Sequence, residues 1–138
     1  MPLNPPQPLT PEREITRFLH HHRDFNAASM LVKPAPFMPT SRRETSIAEI
    51  TGLAEAEIWR LAAFTLNPTA NRTEVRARAD LAVAEAHEQD LRCMRDDAGF
   101  AGHGNLLGWP SDKERQKEIA LELARAARLA LPNAPIRA

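Results

Sequence analysis

The sequence predicts an α+β domain in which a small mixed sheet packs against two main helices behind a Pro-rich N-terminal arm. Three observations carry this. A capping signal at residues 111–114 opens a long amphipathic run, and a second such run covers residues 53–66. Around them lie short β-branched or apolar segments bounded by Gly and Pro. A mostly helical bundle is the alternative, because Ala and Glu dominate residues 74–94 and favour a continuous helix there. The 138 residues, 43% hydrophobic and 26% charged, suffice for one core without disulfide or metal staples. The expected organisation is an arm at 1–11, a globular domain at 12–131 and a tail at 132–138.

Residues 1–11 carry five of the twelve prolines and no charge, a composition biased toward extended polyproline-like backbone. Thr10-Pro11-Glu12 resembles a helix start, and Ile15, Phe18 and Leu19 follow at helical spacing, so a short helix is expected over 15–22, with a strand as the competitor. Met30 to Pro39 holds three prolines, which excludes a helix interior or a central strand. Leu31, Val32, Phe37 and Met38 are expected to lie flat against the core. Thr45 to Thr51, ended by Gly52, reads as a strand.

Leu53 to Leu66 reads as a helix with Ile58, Leu61, Ala62 and Thr65 on one face, Glu55 and Glu57 in its first turn and Asn67-Pro68 as its stop. Trp59 borders that apolar face and is expected in the core. Within 74–94, composition favours helix while Arg78 to Val83 alternates like a strand. Asp96 to Gly104 is a Gly-rich connector feeding a short strand at Asn105 to Trp109. Ser111-Asp112-Lys113-Glu114 forms a capping box, and a helix carrying Ile119, Leu123 and Ala130 runs from there until Leu131-Pro132.

The segments Val32-Lys33-Pro34, Phe37-Met38-Pro39, Glu57-Ile58-Trp59, Arg78-Ala79-Asp80-Leu81 and His-x-Asn-x-x-Gly-Trp-Pro at 103–110 together resemble small bacterial proteins described only as hypothetical. The resemblance extends from about Arg17 to Ala130. It implies a strand, a helical turn and a second strand around Arg78 to Met94, then a terminal helix. It implies no activity and no catalytic residue.

Three groups of residues carry chemistry by type. His20-His21-His22 is the densest titratable group, but neighbouring residues diverge on either a helix or a strand, so the three cannot meet one ion. His103 lies between two glycines, with Asn105 able to donate and accept and Trp109 able to wall a pocket. Arg76, Arg78 and Asp80 share a face if their segment is a strand, where arginine forks suit phosphate; Arg72 lies just upstream. The plainer alternatives are surface histidines, a tight connector and an exposed ion pair.

Absences narrow the field. The sequence has no phosphate-binding glycine loop, no His-Glu-x-x-His, no Gly-x-Ser-x-Gly and only one cysteine, Cys93, flanked by Leu91, Arg92 and Met94 and expected to be buried. Eighteen cations balance eighteen anions, which argues against a nucleic-acid sleeve. The start of the chain lacks a basic and apolar leader, and no apolar run is long enough to span a bilayer, so a cytoplasmic protein without membrane contact, cofactor or metal is expected. The expected function is a protein-interaction module. Its competitor is a small enzyme or sensor for a nucleotide or other phosphate-containing ligand, with His103 as acid or base, Asn105 and Asp80 as orienting groups and Arg76 and Arg78 on the anion.

Overall fold

A computed structural model describes residues 5–137 of the chain. The chain runs through β1 (Gln7–Pro8), β2 (Glu14–Leu19), β3 (Phe25–Asn26), β4 (Leu31–Val32), β5 (Thr45–Glu49), α1 (Glu55–Ala62), β6 (Glu74–Val75) and β7 (Ala77–Ala82). It continues through α2 (Val83–Glu88), β8 (Arg92–Arg95), β9 (His103–Leu107), α3 (Lys113–Ala126), β10 (Arg128–Ala130) and β11 (Ile136–Arg137). Seven strands form one sheet in the order β1-β8-β9-β5-β2-β7-β10, and every pairing in it is antiparallel. The α+β class holds, at 30% helix and 31% strand, against the helical-bundle alternative. The sheet is larger than expected and antiparallel rather than mixed.

Residues 14–19 are a strand and not the expected helix. Ile15, Phe18 and Leu19 fit helical spacing because this strand buries apolar groups on both faces, which removes the alternation that marks a half-buried strand. It pairs with β7 along its whole length, Glu14 opposite Ala82 through Leu19 opposite Ala77, and with β5 at Ile15 and Thr16. Residues 77–95 form the strand, helical turn and strand that the resemblance implied.

Alternation along the strands divides the core in two. On one face Ile15, Leu19, Ile47, Ala77, Ala79, Leu81, Cys93, Leu106 and Leu129 meet Ile119, Ala120, Leu123 and Ala124 of α3, together with Phe37 and Trp109. On the other, Phe18 and Ala48 meet Ile58 and Ala62 of α1, with Ile50 and Val75. Fully burying a side chain such as Ile119 or Leu123 contributes about 1.5–3 kcal/mol, so α3 is held by its apolar stripe. Two faces covered by different helices make β2, β5 and β9 the rigid middle of the fold.

The start of α3 differs from the expected capping box by one residue. Asp112 is the cap, accepting from the Glu114 amide at 3.1 Å, and buried Gln116 donates to the Pro110 carbonyl at 2.7 Å. The helix also ends early, at Ala126, since residues 128–130 leave it to pair with Asp80, Ala79 and Arg78 of β7. The described part of the Pro-rich segment is tied down as well. Gln7 and Pro8 pair with Arg95 and Met94 at the sheet edge, where a missing amide is tolerated, and Leu9 donates to the Cys93 carbonyl at 2.9 Å. Residues 1–4 lie outside the described residues. The C-terminal segment returns to the fold as β11, pairing with β6. In the other Pro-rich stretch Val32 and Phe37 are buried as expected, Met38 is half-buried, and Leu31 is exposed.

Candidate functional site

Arg78 is buried and fully occupied. Its Nε donates to both oxygens of Asp80 at 3.0 and 3.1 Å, its terminal nitrogens donate to Glu55 at 3.0 and 2.7 Å, and its guanidinium lies 4.6 Å from the Trp59 ring centroid. Burial pulls its pKa down, but the bonds to Glu55 and Asp80 outweigh that and raise it; the same bonds hold Glu55 below the usual carboxylate range. An anion would have to displace two carboxylates to reach it. Arg76 is likewise paired with Glu74. This cluster pins α1 to β7.

His103 and Asn105 project from β9 on the face that α1 covers. Asp96 binds both: its Oδ1 lies 2.6 Å from His103 Nδ1, and its Oδ2 accepts from Asn105 Nδ2 at 3.2 Å. His103 also lies edge-on to Phe100, which stacks on exposed Phe64. The slot that His103 lines with Thr16, Phe18, Thr65 and Phe100 has a volume of about 30 Å³. That holds a water-sized occupant, whereas a ligand pocket needs about 300 Å³ or more.

The expected convergence of Arg78, Asp80, His103 and Trp109 does not occur. Asp80, Thr16, Ala48 and His103 form one row across four strands, which puts Asp80 and His103 about 14 Å apart at ordinary strand spacing. Trp109 packs in the α3 core, on the other side of the sheet from His103, and its Nε1 is buried without a partner among the described residues. The three histidines enter three environments: His20 buried, His21 half-buried, His22 exposed. Among the described residues no group of ligating side chains suits a metal ion. Cys93 is buried and unpaired, and burial pushes its thiol up to about 12, which leaves it inert as a nucleophile.

The larger concave surface lies at the end of the sheet and centres on Glu49, whose side chain is 3% exposed. Arg13 from the turn before β2 donates through Nε to Glu49 Oε2. Arg95 at the end of β8 donates to Glu49 Oε1 at 2.8 Å and to Asp97 at 2.7 Å, and Thr51 donates to Glu49 at 2.9 Å. Burial pushes the Glu49 pKa up, but the bonds from Arg13, Arg95 and Thr51 outweigh it and hold the carboxylate below its usual range. The Gly102 amide and Arg95 similarly lower Asp97.

Two adjoining cavities, of about 400 and 340 Å³, share Arg13, Glu49 and Arg95. Sequence reasoning did not single out these residues, because they come from three distant segments joined only by the strand order. One local signal existed: Arg95 and Asp97 stand two residues apart where β8 enters the loop to β9, and that loop returns the Gly102 amide to Asp97 at 2.7 Å. No family model, curated protein or solved structure matches this chain.

Proposed function

We propose that the chain is a protein-interaction module whose contact surface is the sheet edge at β10 together with the neighbouring tip of the β3–β4 hairpin. The observation that carries this reading is a set of large apolar side chains left in solvent there: Met30 is 49%, Leu31 62% and Leu131 44% exposed. Strand β10 is the last in the sheet order, and β4 packs beside it and beside α3. An edge strand offers unpaired backbone groups, and apolar flanks favour an extended apolar segment of a partner protein that adds a strand. Residues 7–9 are engaged by β8 and Phe37 is buried, so of the two Pro-rich stretches only the start of the second, Met30 and Leu31, contributes to this surface. The cytoplasm is the compartment this reading assumes. No helix among the described residues is long and apolar enough to cross a membrane.

The test is crosslinking in cells followed by quantitative mass spectrometry, comparing the parent chain with a Leu31→Lys, Leu131→Lys variant. Lysine at an edge opposes strand addition while leaving the fold intact, since both positions are exposed. A partner crosslinked to the parent should fall at least about tenfold in the variant, equivalent to about 1.4 kcal/mol of contact. Equal crosslinking of both chains, or none above background for the parent, overturns the proposal.

A further inference from the structure

We infer that the cavity between Arg13, Arg60 and Arg95 is an oxyanion site for a small molecule carrying one phosphate or carboxylate on an apolar body. This rests on geometry independent of the β10 edge. Arg13 and Arg95 approach the same buried carboxylate, Glu49, from different elements, so their guanidinium groups are held near each other at fixed positions. Glu49 uses only Nε of Arg13 and one terminal nitrogen of Arg95, and Asp97 takes Nε of Arg95. Both terminal nitrogens of Arg13 and the second terminal nitrogen of Arg95 have no partner among the described residues. Both side chains are more than one-third exposed. Fixed forks with unused donors match the planar oxygens of a carboxylate or the face of a phosphate.

Charge decides which of the two adjoining cavities takes the anion. The larger is lined by Arg13 and Arg95 against Glu49, Asp96 and Asp97, so its lining is net negative. The smaller, of about 340 Å³, is lined by Arg13, Arg60 and Arg95 against Glu49 and Glu57; Asp97, paired to Arg95 from outside this lining, brings the site to neutrality, so it opposes an anion less than the net-negative larger cavity does. Arg60 has no ion-pair partner among the described residues. Leu53, Leu61 and Ala101 complete this second lining and give the ligand's apolar body a surface. The volume falls within the ordinary range for small-molecule sites. Glu49 is a positioning residue, because it acts on the ligand through the two arginines.

The experiment titrates phenyl phosphate and benzoate separately into the full chain at constant ionic strength and follows melting temperature. A ligand that binds only the folded state raises it progressively, with the logarithm of ligand concentration once that exceeds the Kd. The expected result is a concentration-dependent rise with at least one probe that is lost in Arg60→Gln and in Arg95→Lys. Arg60 is exposed and outside the Glu49 network, so Arg60→Gln keeps the fold and any loss reports the site. A response to phenyl phosphate alone assigns a phosphate ligand, to benzoate alone a carboxylate, and to both a general oxyanion site. No concentration-dependent rise with either probe, or a rise undiminished in both variants, overturns the inference and leaves the β10 contact untouched.

Discussion

Asp96 and His103 are joined twice across the mouth of the β8–β9 hairpin. The Asp96 amide donates to the His103 carbonyl at 3.0 Å, and the Asp96 carboxylate lies 2.6 Å from His103 Nδ1. The second carboxylate oxygen holds Asn105, and the Ala98 amide bonds the first at 2.9 Å. One side chain thus fixes both the loop and the two polar residues that follow it, and with a slot of only about 30 Å³ beside His103 its work is structural.

Asp96→Ala should therefore destabilise the domain by about 1–3 kcal/mol, the sum expected from losing a few hydrogen bonds of modest net worth. Asp96→Asn, which can keep part of the set, should cost less. Urea denaturation of the two variants checks this ordering, and equal midpoints for Asp96→Ala and the parent chain contradict it.

Arg78 is 3% exposed at its side chain and serves Asp80 and Glu55 together. Arg78→Ala leaves Asp80, itself mostly buried, without its partner and removes the packing on Trp59, so a loss of about 3 kcal/mol is expected. Glu55→Ala should cost less than about 1 kcal/mol, because Glu55 is largely solvated and its pair is screened. Measured unfolding free energies that reverse this order would show that the cluster is held from the α1 side.

The elements that local pattern reveals are those decided locally. The period of Ile119 and Leu123 and the Asp112 to Glu114 region mark α3, and the short run Asn105 to Trp109 marks β9, which the structure places two residues earlier, at His103–Leu107, because His103 and Gly104 pair with Ala48 and Ile47 of β5. Residues 128–130 were hidden because Arg-Leu-Ala continues an Ala-rich helix equally well, and only pairing with β7 draws them out. Residues 15–19 were hidden for the reason that both their faces are buried. His103, Asn105, Arg78 and Asp80 were visible by type, but not that Asp96 and Glu55 already occupy them. The Arg13–Glu49–Arg95 group joins residues 36 and 46 positions apart, beyond the reach of any local signal.

Gly104 lies in β9 between β5 and β8, and an added Cβ there would collide with the Met94 carbonyl and press on the Arg95 backbone at 3.2 Å. Backbone on a central strand cannot move aside cheaply. Gly104→Ala should cost about 1–3 kcal/mol as overpacking, even though alanine favours a strand more than glycine does. Thermal unfolding is the check, and a melting temperature at or above that of the parent chain would mean β8 shifts to admit the methyl group.

His20 sets the last prediction. Its Nδ1 lies 3.1 Å from the Glu74 carbonyl, so Nδ1 carries the proton and donates, which leaves Nε2 as a buried lone pair with no partner among the described residues. Burial, with Arg72 and Arg17 nearby, lowers its pKa from 6.5 to about 4, outweighing the raising effect of the Glu74 bond. The unfolded chain keeps the ordinary value near 6.5 and so binds more protons than the folded chain between about pH 4 and 6.5. Stability from this residue is fully present above about pH 6.5 and falls as pH drops toward 4, by about 2–3 kcal/mol over the window at most. His20→Gln can still donate to Glu74 but does not titrate. Its unfolding free energy should stay flatter between pH 6.5 and 5. Parallel pH profiles for the two chains would show that His20 is hydrated in the folded state.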